Sequence, residues 1–333
     1  MKIALFELEP WQQDIAKDAL QDHELSFREE PLTEKNAGEF SEMEAVAVFI
    51  YSRIGQDVLA KMPKLRCVAT MSTGFDHIDL DACRKAGIIV TNVPTYGENT
   101  VAEHTFALIL ALSRKIYPSI KRTHEEHIFA TDKTLRGFDL KGRTLGLIGC
   151  GNIGKHVARI GIGMEMDVIV FDPHPDQALA ERIGFRYVER DALLAEADII
   201  SLHVPYNKHT HHLIGKEEID RMKDSAIIIN TARGGLIDTD ALVEGLASFK
   251  LGGVGLDVLE GETDIKEELS VLKEEHQDQM RTILEDHMLM KMDRVIVTPH
   301  NAFNSKEALE RILSTTLANI KAFIEGKEEN RIN

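Results

Sequence analysis

At 333 residues the chain is long for one compact domain, and the size alone suggests two. Its 43% hydrophobic and 28% charged residues are those of an ordinary soluble globular protein. The net charge of -16, from 55 acidic against 39 basic side chains, argues against nucleic acid or an anionic membrane as partner. Part of that charge is local to the acidic stretch Glu260 to Asp293.

The N-terminal segment MKIALFELEP is too short in apolar residues for a signal peptide and reads as a first strand. Strands are then expected at Ile3–Leu8, Ala45–Tyr51, Arg66–Ser72 and Ile88–Val93, with helices at Trp11–Leu20, Gln56–Met62 and Leu80–Ala86 between them. Strands separated by helices imply βαβ crossovers and a parallel sheet. A long helical pattern follows from Thr100 to about Tyr117, with a capping box between Asn99 or Thr100 and Glu103. Its apolar stripe over residues 101 to 112 is a packing face, and with Glu103 and His104 in it the stretch is too short to span a bilayer.

A second series has strands at Thr144–Ile148, Asp167–Phe171, Ile199–Val204, Ala226–Asn230, Gly253–Val258 and Val295–Thr298. Six strands with intervening helices suit a doubly wound dinucleotide-binding sheet. A final amphipathic helix, about Ser305 to Glu325, lies beyond it and is expected to return to the first series. The expected division is therefore a substrate domain of residues 1–99 plus 302–333 and a nucleotide domain of residues 100–301. The cysteines, Cys67, Cys83 and Cys150, have no metal-ligand spacing and suit a reducing cytosol, so a cytoplasmic location is expected.

The loop GCGNIG, Gly149 to Gly154, follows the strand TLGLI and opens a helix. Gly149 serves the tight turn, Gly151 the close approach of a pyrophosphate and Gly154 the packing of the helix. Asn152 and Ile153 complete the loop, and the phosphates are expected on the helix N-terminus. Asp172 ends the next strand, eighteen residues past Gly154. A carboxylate there accepts from ribose hydroxyls and repels the extra phosphate of NADP, and no Arg follows it, so NAD is the expected cofactor.

Reduction of a 2-keto acid needs a group to bind the carboxylate, one to polarise the carbonyl and one to deliver a proton. Arg233 in INTARGGLID, Glu262 past the strand GGVGLDV and His300 at the end of RVIVTPH stand at strand ends and offer such a set. The guanidinium fork of Arg233 can hold a carboxylate with two hydrogen bonds. A carboxylate beside His300 would hold its tautomer and favour the protonated ring. His203 in SLHVP sits at a strand end facing the cofactor, with Val204 and Pro205 after it. His209, His211 and His212 form a metal-like cluster, but no carboxylate or Cys at suitable spacing joins them, so no metal is expected.

GCGNIG, INTARG, the Glu after GLDV and the final TPH, in this order, resemble the D-isomer-specific 2-hydroxyacid dehydrogenases over nearly the whole chain. The resemblance implies two α/β domains, flavodoxin-like and Rossmann, with a cleft between them, and a homodimer formed through the nucleotide domains. It implies that Arg233 binds the substrate carboxylate and carbonyl, that His300 is the acid/base and that Glu262 is its partner. It places Thr231, Ala232 and Asp257 at the cofactor. STGFDHID resembles the loop whose Thr73 and Gly74 N–H groups bind the substrate carboxylate. Within the family the D-lactate type is most similar: Tyr51 in FIYSR, Tyr96 in VPTYGENTVAEH and Phe303 in HNAF would wall a small substrate pocket. Gly97-Glu98 replaces the Ser-Pro usual after that Tyr. The implied reaction is reversible reduction of pyruvate to D-lactate. Bulkier 2-keto acids, glyoxylate or hydroxypyruvate, phosphoglycerate and an NAD(H)-sensing scaffold are the alternatives.

Overall fold

The computed structural model describes residues 1–260 and 285–333, and Glu262 therefore lies outside the described residues. The chain forms two units, Met1–Tyr96 with Asn304–Asn333, and Gly97–Phe303. Each is built on its own parallel sheet.

In the first unit, strands β1 (Lys2–Phe6), β2 (Glu24–Arg28), β3 (Ala45–Val48), β4 (Cys67–Thr70) and β5 (Ile89–Thr91) lie in the order β2-β1-β3-β4-β5. All four pairings are parallel, which is the flavodoxin-like arrangement. Helices α1 (Pro10–Ala19), α2 (Gln56–Ala60) and α3 (Leu80–Lys85) make the crossovers. Phe6, Val46, Val48, Val68 and Val90 face one core layer. Ile3, Leu5, Ala45, Ala47 and Cys67, at alternate positions, are equally buried on the other side. Strand β2 is absent from the expected set: it sits at the sheet edge, only half-buried, and its ends are charged. The helix Lys306–Ile324 packs on this unit, where Asn319 Nδ2 donates to the Asn92 carbonyl at 2.8 Å. Ile332 N–H then donates to the Val90 carbonyl at 2.9 Å.

The second unit opens with α4 (Glu98–Ser113) and α5 (Ile116–His124) where one helix was expected. Pro118 explains the break. In a continuous helix its ring would clash with the Arg114 carbonyl. The chain instead passes through Lys115 at φ +53°, and Pro118 falls in the first turn of α5. The expected capping box is also absent: Gly97 is the N-cap with no side-chain cap, and Asn99 bonds Glu103 side chain to side chain at 3.1 Å.

Strands β6 (Thr144–Ile148), β7 (Asp167–Phe171), β8 (Arg186–Tyr187), β9 (Ile199–Leu202), β10 (Ala226–Asn230), β11 (Leu251–Leu256) and β12 (Val295–Val297) form a sheet in the order β12-β11-β10-β9-β6-β7-β8. The core of that order is the Rossmann pattern with one strand added at an edge. Helices α6 (Gly154–Gly163), α7 (Gln177–Ile183), α8 (Arg190–Glu196), α9 (Lys216–Arg221) and α10 (Thr239–Ala247) connect the strands. The two-residue β8, at the other edge, has no apolar run and was not expected. Successive residues of each central strand feed opposite core layers. Ile148, Ile200, Ile228 and Val254 face one, and Leu147, Ile199, Ile227 and Ile229 the other. No helix among the described residues is long and apolar enough to cross a membrane.

Candidate active site

The strand order of the second unit reverses between β6 and β9, so the loops after these two strands flank the switch point of the sheet. Gly149 has φ +96°, and a Cβ there would lie 2.7 Å from the His203 carbonyl oxygen. Gly154 opens α6 so close to Gly149 that a Cβ would meet the Gly149 oxygen at 2.3 Å. Its packing partner is thus the loop itself rather than the strand. The Cβ position of Gly151 faces open space within 4 Å, as a loop that must admit a pyrophosphate requires.

Asp172 closes β7 half-buried. Its carboxylate accepts from the Cys150 N–H at 2.8 Å and the His174 N–H at 2.9 Å. It therefore ties the phosphate loop to the strand that would meet a ribose, and each oxygen retains a lone pair for a hydroxyl. Burial pushes the Cys150 thiol up to about 11 and the Cys67 thiol up to about 12, so neither is a nucleophile at neutral pH.

His203 follows β9 with its N–H on the Ile148 carbonyl at 2.8 Å and Nε2 beside Ser201 Oγ at 2.9 Å. Burial pushes its imidazole down from 6.5 to about 4. The folded ring is neutral, whereas the unfolded ring gains a proton below 6.5, so this site loses stability as pH falls from 6.5 towards 4. Urea unfolding at pH 7.5 and 5.5 is expected to show about 1 kcal/mol more acid destabilisation in the native protein than in His203→Gln. Equal losses would show that the ring is not held neutral. Val204 is half-buried and Pro205 exposed after it.

Arg233 follows β10 on a loop clamped by the buried Asn230. Asn230 Oδ1 accepts from the Ala232 N–H at 3.0 Å, and its Nδ2 donates to the Arg233 carbonyl at 2.8 Å. One terminal nitrogen of Arg233 donates to the Ala232 carbonyl at 2.7 Å. Thr231 shares a hydroxyl hydrogen bond of 3.0 Å with Thr105 of α4.

His300 follows β12 with φ +52°. Its N–H donates to the Asp257 and Thr298 carbonyls at 2.8 and 2.9 Å. Asp257, 1% exposed, accepts from the Thr298 hydroxyl at 2.5 Å, the Asn301 N–H at 2.7 Å and the Ala302 N–H at 2.8 Å. Burial alone would raise its carboxyl, but hydrogen bonds from His104, Thr298, Asn301 and Ala302 outweigh burial and hold it below the usual range. His104 of α4 also meets Thr298 Oγ1 at 3.0 Å. Asp257 thus sets the whole turn that presents His300, and Phe303 lies edge-on to the His300 ring at 6.4 Å. The loops carrying Gly149, His203, Arg233 and His300 all leave the carboxyl edge of one parallel sheet.

In the first unit, Tyr51, Thr73 and Tyr96 likewise follow the carboxyl ends of β3, β4 and β5. Strand β3 ends at Val48, three residues before the expected Tyr51. The turn beyond it is organised by Glu7, whose carboxylate accepts from the Phe49 N–H at 2.9 Å, the Tyr51 N–H at 3.0 Å and the Ser52 hydroxyl at 2.5 Å. Burial raises the Glu7 carboxyl, and these three donors partly offset it. The Thr73 hydroxyl donates to the Val93 carbonyl at 2.7 Å, Asn92 Nδ2 to the Thr73 carbonyl at 2.9 Å and the Ser72 hydroxyl to the Gly74 carbonyl at 2.6 Å. The Thr73 and Gly74 N–H groups donate to no acceptor among the described residues. The Tyr96 carbonyl accepts from Arg311.

One expectation is overturned. A carboxylate does join the histidine cluster: Glu260, after β11, places Oε1 2.6 Å from His212 Nε2. The group it completes is His211, His212 and Glu260, without His209. Sequence spacing could not show this, because the carboxylate arrives from another strand of the sheet. His104 and Glu7 carried no expected role for a like reason, each reaching its partners from a distant element, whereas Asn230 bonds locally to Ala232 and Arg233.

Residues 106–302 match the family described as D-isomer specific 2-hydroxyacid dehydrogenase, NAD binding domain. The chain is 35% identical over 309 residues to the D-lactate dehydrogenase of Escherichia coli, covering 91% of this chain and 90% of that one. It is 34% identical over 291 residues to the glyoxylate reductase of Thermococcus litoralis, covering 86% and 82% respectively. A crystal structure of D-lactate dehydrogenase from Aquifex aeolicus, complexed with NAD and lactic acid, superposes with a TM-score of 0.86 at 39% identity, covering 97% of this chain and 96% of that one. The chain therefore belongs to the D-isomer-specific 2-hydroxyacid dehydrogenases, NAD-dependent oxidoreductases that act on small 2-hydroxy and 2-keto acids.

Proposed function

We propose that this enzyme reduces pyruvate to D-lactate reversibly. The observation that carries this reading is the likeness, over nearly the full chain, to the Aquifex enzyme whose structure holds NAD and lactic acid. The loop Gly149–Gly154 and Asp172 would hold NAD, joined by His203, Val204, Pro205, Thr231, Ala232 and Asp257. NADH, when bound, supplies the hydride for the keto carbon. Arg233 binds the substrate carboxylate through its fork and polarises the carbonyl. His300 holds a proton on its ring and gives it to the oxygen that was the carbonyl, so that hydride and proton together yield the alcohol. Glu262 is assigned to His300 as its carboxylate partner on the family resemblance. The aromatic residues Tyr51, Tyr96 and Phe303 are assigned to a substrate pocket on the same ground, with Thr73 and Gly74 offering N–H groups to the carboxylate. Residues 1–99 with 302–333 are read as the substrate domain and residues 100–301 as the nucleotide domain. A homodimer through the nucleotide domain is supported by exposed apolar side chains there: Ile116, Tyr117, Ile120, Ile128 and Phe129.

The test is NADH oxidation with pyruvate, 2-ketobutyrate, 2-ketoisocaproate, phenylpyruvate, hydroxypyruvate, glyoxylate and oxaloacetate. The highest kcat/KM is expected on pyruvate, and an equal or higher value on any other acid of the panel overturns the assignment. Asp172→Ser is expected to raise the KM for NADH about tenfold, the worth of about one charged hydrogen bond, with kcat little changed. The preference for NADH over NADPH should fall with it. An unchanged preference would mean that selectivity resides elsewhere.

A further inference from the structure

We propose that His211, His212 and Glu260 form a binding site for a zinc-class divalent cation. One ligand atom from each lies within 4.8 Å of the others. Two imidazoles and a carboxylate are a ligand set that zinc takes in three-residue sites, with water completing the tetrahedron.

The surroundings orient each ligand as metal sites require. Thr239 donates its hydroxyl to Glu260 Oε2 at 2.7 Å, which turns Oε1 towards His212 Nε2. Asp238 Oδ2 lies 3.8 Å from His212 Nδ1, so a second carboxylate adds negative charge beside the other nitrogen of the ring. At 2.6 Å His212 Nε2 and Glu260 Oε1 share a proton in a direct hydrogen bond, and a zinc ion that displaces this proton requires the two side-chain tips to part to about 3.3 Å. The Tyr206 hydroxyl meets His211 Nδ1 at 3.1 Å, leaving its Nε2 to ligate. His211 is exposed and stacks on His212 at 3.8 Å, so sharing a cation requires this surface ring to leave the stack and turn its edge towards Glu260.

The site braces the loop that carries Arg233. The His212 N–H donates to the Gly235 carbonyl at 2.9 Å. On the other side, Gly234 packs so closely on the Leu259–Glu260 backbone that a Cβ would lie 2.1 Å from the Leu259 carbonyl carbon. A cation joining His211 and His212 to Glu260 therefore links the two backbones that flank Gly234 and Gly235, and stabilises the nucleotide domain.

Equilibrium dialysis of the chelator-treated full chain against zinc, with metal analysis, tests the site. One zinc per chain in the micromolar range is expected, with affinity falling at least tenfold in His211→Ala and in Glu260→Gln and unchanged in His209→Ala. Zinc should raise the melting temperature of the native chain by roughly 5 °C at a hundredfold excess over Kd, and of the His209→Ala variant equally. Cobalt in place of zinc should give the visible absorption of a low-coordinate site. No binding by the native chain, or binding that survives both substitutions, overturns the proposal. So does equal weakening by His209→Ala, which would mean diffuse capture by surface histidines. His211 is exposed and Glu260 half-buried, and near-ultraviolet circular dichroism of the metal-free variants separates lost ligation from lost fold.

Discussion

Arg233→Lys is expected to lower kcat/KM for the 2-keto acid by roughly 100-fold, about 3 kcal/mol of lost transition-state binding. Lysine keeps the charge but offers a point instead of a fork, and cannot hold a carboxylate with two parallel hydrogen bonds. The loop should survive the change, because its shape is set by Asn230 through backbone groups on both sides of Ala232. The melting temperature and NADH affinity are therefore expected to stay near native values while KM rises and kcat falls together. A loss of less than fivefold would remove Arg233 from the substrate and return it to the role of a loop residue bonded to the Ala232 carbonyl.

How much of this was legible in the sequence follows from the physics of each element. Central parallel strands are buried on both faces, so AIIIN and TLGLI read as continuous apolar runs and were placed correctly. The edge strands ELSFR and RY bury too little to carry that signal. The break between α4 and α5 was legible in Pro118, but the apolar periodicity on both sides of it concealed the boundary. Candidate ligand-binding residues at strand ends could be named because chemistry restricts which side chains can serve there. Of the residues that hold them, Glu7 was not named, and Asp257 was named for the cofactor rather than for the His300 turn. Glu7 reaches the Tyr51 turn across 44 positions, and Asp257 reaches Asn301 across 44. Such pairings depend on strand order in the sheet, and no local pattern reports it.

That dependence decides how the proposed proton donor, His300, should be tested. His300 occupies a left-handed backbone conformation, which asparagine and histidine tolerate better than most residues. His300→Asn therefore keeps the turn held by Asp257 while removing the only group at that position able to store and release a proton near neutral pH. The expected result is a fall in kcat of about 1000-fold for keto-acid reduction, in the range that general acid catalysis contributes. NADH binding, followed by fluorescence, and the melting temperature should remain close to native. A variant that retains a tenth of native kcat would mean that the proton reaches the oxygen by another route, through water or another side chain. His300 would then be a positioning residue of the turn rather than the acid. A variant that loses kcat and NADH affinity together would instead show that the turn itself had failed. The Asp257→Asn variant, which weakens the same turn but keeps the imidazole, separates the two: its loss should fall on melting temperature and KM while kcat at saturation drops far less than in His300→Asn.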